Sequence, residues 1–214
     1  MSDLVVFAIP NGRYVENCYL LADPDAGEAV MVDPGEEPEH ALAALRHRGW
    51  RLGAIWLTHG HVDHVLGVGQ VKTATNAPIL LHPADRFLYD EAPRFGPAPE
   101  DPIEMPIPDA ALAEGEVVRV GRFTFTVRHA PGHSPGSVCF VGNGLVLDGD
   151  VLFAGSVGRT DLPGGDHGTL IESIQRTLLT LPDTTAVLPG HGRSTTIGVE
   201  RETNPYLALV RRGI

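Results

Sequence analysis

The sequence predicts an α+β fold of four layers, αββα, in which helices flank two sheets packed face to face. Short β-prone runs gather in two meander-rich groups, one on each side of a proline-rich stretch at 93–108. Helix-spaced apolar patterns accompany both groups, so each sheet has helices available to cover one face. The chain has 214 residues, 43% of them hydrophobic, enough for one well-filled core. No internal boundary or repeat interrupts it, so residues 1–214 read as one domain.

The elements follow in order. Runs at 4–9, 18–22 and 29–32, separated by Pro10-Asn11-Gly12 and Asp23-Pro24-Asp25, predict an opening β-meander. Ala41, Leu42, Ala44 and Leu45 stand at helical spacing within 38–48, and Gly49 is a stop signal. A buried strand at 54–57 completes a strand-helix-strand unit. Next come a helix at 65–74, a strand at 79–81 and a helix at 83–91 opened by its proline. The stretch 93–108 reads as a loop. Strands are then expected at 117–120, 123–129, 137–141 and 145–147, a helix at 170–179 and a last strand at 186–188.

A formal net charge of −11 argues against a broad footprint for nucleic acid or anionic lipid. No apolar run approaches the roughly 18 to 20 residues needed to cross a bilayer, and the start carries Asp3 where a signal peptide has positive charge. A cytoplasmic protein is expected, acting on a small molecule and neither on nucleic acid nor at a membrane, with homo-oligomerisation left open. Cys18 and Cys139 sit in predicted strands, and two thiols are too few for a disulfide framework.

The chemistry concentrates at Thr58-His59-Gly60-His61-Val62-Asp63-His64, directly after an apolar strand and ahead of a helix. In extended backbone His59 and His61 project to the same side, while a turn into the helix sends Asp63 and His64 elsewhere, so one short loop can serve two metals. Imidazole and carboxylate ligands suit zinc, iron or manganese better than copper(I). Similar punctuation recurs at Pro131-Gly132-His133, Asp148-Gly149-Asp150 and Pro189-Gly190-His191, each placing a ligand-type residue beside glycine at a strand end.

With these motifs the sequence resembles the metallo-β-lactamase superfamily, and within it the short glyoxalase II-like hydroxyacylglutathione hydrolases. The resemblance rests on His-x-His-x-Asp-His at 59–64, Pro-Gly-His-Ser-Pro-Gly at 131–136, Asp150 with Val151-Leu152-Phe153, Gly158-Arg159-Thr160-Asp161, Gly190-His191-Gly192 and Glu202-Thr203-Asn204-Pro205. It implies the αββα fold and two divalent transition-metal ions, zinc foremost, with iron or manganese as alternatives. It implies that His59, His61 and His133 bind one metal, that Asp63, His64 and His191 bind the second, and that Asp150 bridges them. It further implies hydrolysis of a thioester such as S-lactoylglutathione by a metal-activated water, with Asp63 orienting the nucleophile or shuttling its proton. Arg159 matches a position whose cation helps hold the glutathione moiety.

The sequence departs from full-length glyoxalase II in carrying Asp161 where that family has tyrosine, and in ending soon after His191, without the helical C-terminal domain. Asp150 stands where dinuclear zinc β-lactamases typically have cysteine. The same motifs also resemble the persulfide dioxygenases, which would hold one iron with His59, His133 and Asp150, and this is the alternative function. A metal-binding module without turnover is a third. Asp33 and Asp148 are candidates to fix histidine tautomers. His40, His47, His82 and His129 read as structural or solvated, and Asp166 as the N-cap of a helix beginning near His167.

Overall fold

The computed structural model describes residues 2–96 and 105–208. The middle of the proline-rich stretch, 97–104, lies outside the described residues, as do 209–214. The first sheet contains strands β1 (Val5–Asn11), β2 (Glu16–Asp23), β3 (Glu28–Val32), β4 (Arg51–Trp56), β5 (Ile79–Leu81) and β6 (Ala110–Ala111), hydrogen-bonded in that order. β1 to β3 form the antiparallel meander, and β3 to β6 are parallel. Helix α1 (Glu39–Arg48) makes the crossover from β3 to β4 and ends where Gly49 turns left-handed at φ 67°.

The second sheet runs β14-β13-β10-β9-β8-β7, formed from β7 (Val117–Val120), β8 (Phe123–His129), β9 (Val138–Gly142), β10 (Leu145–Gly149), β13 (Ala186–Pro189) and β14 (Thr195–Thr196). A small separate hairpin joins β11 (Leu152–Phe153) to β12 (Ser156–Val157). β10 and β13 are the parallel pair of this sheet.

Period-two alternation sorts the side chains into three apolar layers. Cys18, Leu20 and Ala22 of β2 point to the outer face of the first sheet, where Ala41, Leu42 and Leu45 of α1 cover them. Tyr19 and Leu21 point inward and meet Phe125, Val127 and Phe140 of the second sheet. Trp56 anchors this middle layer, with ring centroids 5.6 Å from Phe125 and 5.0 Å from Phe140. On the far side Cys139, Val146 and Val187 pack under Leu170, Ile174 and Leu178. The four-layer αββα fold is therefore the observed one.

Several boundaries differ from expectation. The helix expected at 65–74 is two, α2 (Val62–Val65) and α3 (Val68–Thr75). The break falls at Gly67, whose N–H bonds Pro34 O and whose missing Cβ would lie 2.3 Å from Gly35 O, so the chain must bend to let that loop in. The segment at 83–91 begins as a 3₁₀ turn, Pro83–Asp85, before helix α4 (Arg86–Glu91). Helix α5 (His167–Ser173) starts three residues ahead of the 170–179 apolar pattern, at the Asp166 N-cap read from the sequence, which accepts from Thr169 N at 2.7 Å, and it widens into a π turn at Ile174–Leu178. The short strands β6, β11, β12 and β14 and helix α6 (Ile197–Thr203) carry too few apolar residues to show a period, and the sequence reading misses them.

Candidate metal centre

Both sheets deliver their strand ends to one edge of the molecule. β4 leads into Thr58 and His59, β10 into Asp150 and β13 into His191, while His133 lies in the loop between β8 and β9. Main-chain bonds lock these loops together: Val138 N donates to Thr58 O across the two sheets, Gly190 N to Gly149 O, and Asn17 N to Gly190 O. All seven predicted ligands reach this edge.

Two triads of donor atoms result. The donor atoms of His59, His61 and His133 lie within 4.8 Å of one another, as do those of Asp63, His64 and His191. His133 Nε2 is 2.8 Å from His61 Nδ1 and 3.2 Å from His59 Nε2. His191 Nε2 is 3.1 Å from Asp63 Oδ2. Asp150 stands between the triads, its Oδ1 3.5 Å from His64 Nε2 and its Oδ2 3.6 Å from His133 Nε2 and 3.7 Å from His191 Nε2.

The hydrogen bonds behind the rings determine which nitrogens face inward. Arg159 O can only accept, so His133 Nδ1 donates to it at 2.8 Å and keeps a lone pair on Nε2. Asp33 Oδ2 takes both the Thr58 hydroxyl, at 2.5 Å, and His64 Nδ1, at 3.0 Å, which leaves the His64 Nε2 lone pair toward Asp150. Because the Thr58 hydroxyl proton is engaged by Asp33, its oxygen accepts from His59 Nδ1 at 3.0 Å, and His59 Nε2 is likewise free to ligate. The expectation for Asp33 is met by this geometry. Asp148 behaves differently: its Oδ2 accepts from Leu152 N at 3.0 Å and shapes the turn after β10, with no bond to a histidine.

Electrostatics point the same way. Burial and the neighbouring imidazoles push His61 down to about 3 and His59 well below the usual histidine range, so both rings are neutral ligands. Burial opposes charge on His64, but Asp63 and Asp150 outweigh it and hold its pKa high. Burial likewise opposes ionisation of Asp150, and His64 and His133 reverse the balance and keep it a carboxylate. A field that draws positive charge among five clustered histidines suits a metal cation. Consistent with that fit, His61 Nε2, His64 Nε2 and Asp150 Oδ1 are buried without a hydrogen-bond partner.

Arg159 lies at the rim with an exposed side chain, paired in bidentate fashion with Asp161 at 2.7 and 2.8 Å. His82 and His129 stack at 4.3 Å outside the ligand set, and His129 Nε2 donates to Pro135 O. Within the C-terminal motif Glu202 is exposed, and it is Glu200 that is buried, accepting from Gly155 N, Thr195 Oγ1 and Asn204 Nδ2.

Sequence reasoning missed several supports. Asn17 Nδ2 and Tyr19 Oη donate to Pro189 O, and Asn17 Nδ2 also to Gly192 O, so β2 carries the loop that presents His191. Glu16 is wholly buried with both oxygens unpartnered, 3.9 Å from His64 Nδ1, and burial pushes its pKa well up. Asp85 is wholly buried beneath the two histidine loops, and burial raises its pKa against the donors that surround it. None sits in a local motif, and only their placement on an otherwise apolar strand or beside a proline turn marks them.

Residues 11–191 match the model of the metallo-β-lactamase superfamily. The chain belongs to that superfamily of metal-dependent hydrolases. It is 39% identical over 207 residues to the hydroxyacylglutathione hydrolase GloC of Haemophilus influenzae, covering 93% of this chain and 96% of that protein. Among solved structures, the B3 metallo-β-lactamase BLEG-1 superposes with a TM-score of 0.87 at 40% identity, covering 95% of this chain and all of that one. The protein TTHA1623 in a di-iron-bound form gives 0.83 at 44% identity, covering 94% of this chain and all of that one.

Proposed function

We propose that the chain is a dinuclear metal-dependent hydrolase of small acyl thioesters, S-lactoylglutathione or a related compound. The observation that carries this reading is Asp150, whose two oxygens reach both triads and so offer one carboxylate to two ions. His59, His61 and His133 hold one ion, Asp63, His64 and His191 the other. When bound, such a pair supplies a hydroxide at neutral pH and charge to offset an oxyanion at the carbonyl. Asp63 orients the attacking water and takes its proton. Arg159 receives the carboxylate end of the thiol carrier by exchanging its partner Asp161 for the substrate. The likeness to GloC supports a thioester, and the di-iron neighbour supports two ions, with zinc, iron and manganese all compatible with the donor set.

The test is metal content per chain on anaerobically purified protein, with assays of S-lactoylglutathione hydrolysis, β-lactam hydrolysis and oxygen uptake with glutathione persulfide. Two metals with thioester turnover are expected. One iron with persulfide-dependent oxygen uptake overturns the reading in favour of a dioxygenase, and β-lactam turnover without thioester turnover replaces the substrate class.

A further inference from the structure

Asp85 ends the 3₁₀ turn after β5, on an element that contributes none of the seven ligands. Its carboxylate is completely buried and takes three donors: Gly60 N at 2.9 Å and Ser134 Oγ at 2.6 Å on Oδ2, and Gly136 N at 2.5 Å on Oδ1. Gly60 lies between His59 and His61, and Ser134 follows His133. One side chain thus grips both loops that supply the three-histidine triad, and its hydrogen bonds fall beside His59, His61 and His133 and away from the His191 loop. The two glycines make the grip close. A Cβ on Gly60 would lie 2.7 Å from Asp85 O, and one on Gly136 would lie 2.7 Å from Asp85 N and Cγ. Ser134 is itself held, its N–H donating to Ser137 Oγ at 3.2 Å and its hydroxyl lying 2.7 Å from the same oxygen.

We propose that Asp85 is the positioning residue of the three-histidine half of the centre, setting the separation of the His59–His61 loop from the His133 loop through bonds from the Gly60 and Gly136 main-chain N–H groups and the Ser134 hydroxyl. The inference rests on the dinuclear reading above. A carboxylate can accept about four hydrogen bonds, and three converging donors fix it without a further partner. An asparagine of the same size must turn an N–H toward one of those donors, which pushes one loop away while leaving its histidines in place in the sequence. Glu200 offers a built-in comparison. It is equally buried and also ties three donors, but it holds the C-terminal segment and no ligand loop.

The experiment is zinc titration of the full chain against a chromophoric chelator for the wild type, Asp85→Asn and Glu200→Gln, with melting curves and the absorption spectrum of the cobalt-substituted proteins. Asp85→Asn is expected to bind one ion as the wild type does and the other about 10- to 100-fold more weakly, with one cobalt band altered. A His191→Ala background assigns the weakened ion to the three-histidine half. Glu200→Gln is expected to lose thermal stability and keep both affinities. Two wild-type affinities in Asp85→Asn, or the same weakened ion in Glu200→Gln, overturn the proposal. If Asp85→Asn does not fold, Ser134→Ala removes one donor, and unchanged affinity there overturns it equally. A wild type that binds a single ion sinks the dinuclear reading instead, and Asp85 is then judged on whether that ion weakens in its variant.

Discussion

Thr58 shows how much a single side chain decides. Its hydroxyl proton goes to Asp33, so its oxygen must accept from His59, and that in turn sets which nitrogen His59 offers inward. At the rim the pairing of Arg159 with Asp161 sets a similar constraint, because Asp161 occupies the Nε–Nη2 edge of the guanidinium and competes with a substrate carboxylate for its charge. Arg159→Ala is expected to raise KM for S-lactoylglutathione about tenfold with kcat little changed, and Asp161→Ala to lower KM by freeing the cation. Steady-state kinetics on both variants check this. An unchanged KM in Arg159→Ala removes the arginine from substrate binding.

At the scale of elements, the strands that converge on the site end in glycine-bearing turns because side chains would occupy the space of the ligands. Gly190 follows β13, and a Cβ there would lie 2.3 Å from Asp150 Oδ1 and 2.6 Å from His64 Cε1. Gly190→Ala must displace the Asp150 carboxylate and the His64 ring, at a cost of about 1–3 kcal/mol in strain. It should reduce bound metal from two ions per chain, while Gly168→Ala, where the nearest atom is 3.4 Å away, leaves the content unchanged. Retention of both ions in Gly190→Ala counts against Asp150 as the bridge. Such glycines made most of the ligands legible in the sequence, since His59, His61, His133, Asp150 and His191 each stand beside one, while Asp63 and His64 are read from their spacing within the first motif. The supports stayed hidden for the opposite reason. Asn17, Tyr19 and Asp85 act on loops far along the chain through main-chain atoms, and no local pattern records such a bond.

Over the whole molecule, the middle apolar layer around Trp56 fastens the two sheets, and the metal centre fastens them again at one edge. Because the ligands come from both sheets, metal binding adds to folding stability. Each ion at about 100-fold excess over its Kd contributes about 2.7 kcal/mol, which for a chain of this size raises Tm by about 5–10 °C. Melting with and without a chelator measures this, and coincident curves would show that the centre does not couple the sheets. The four layers could be anticipated from alternation and helix spacing. The edge where the sheets meet could not, because its register depends on pairings such as Val138 with Thr58 that join distant strands.

The bond from Asn17 to Pro189 spans 172 positions, and with its neighbours it seats the last ligand loop on a strand made at the start of the chain. During synthesis β2 emerges early and must wait for the final loop to leave the ribosome. The centre therefore closes last, and a chain stalled before residue 191 holds one triad without the other. On the dinuclear reading, this long-range closure lets the partly made chain take an ion at the three-histidine triad before the second triad is complete.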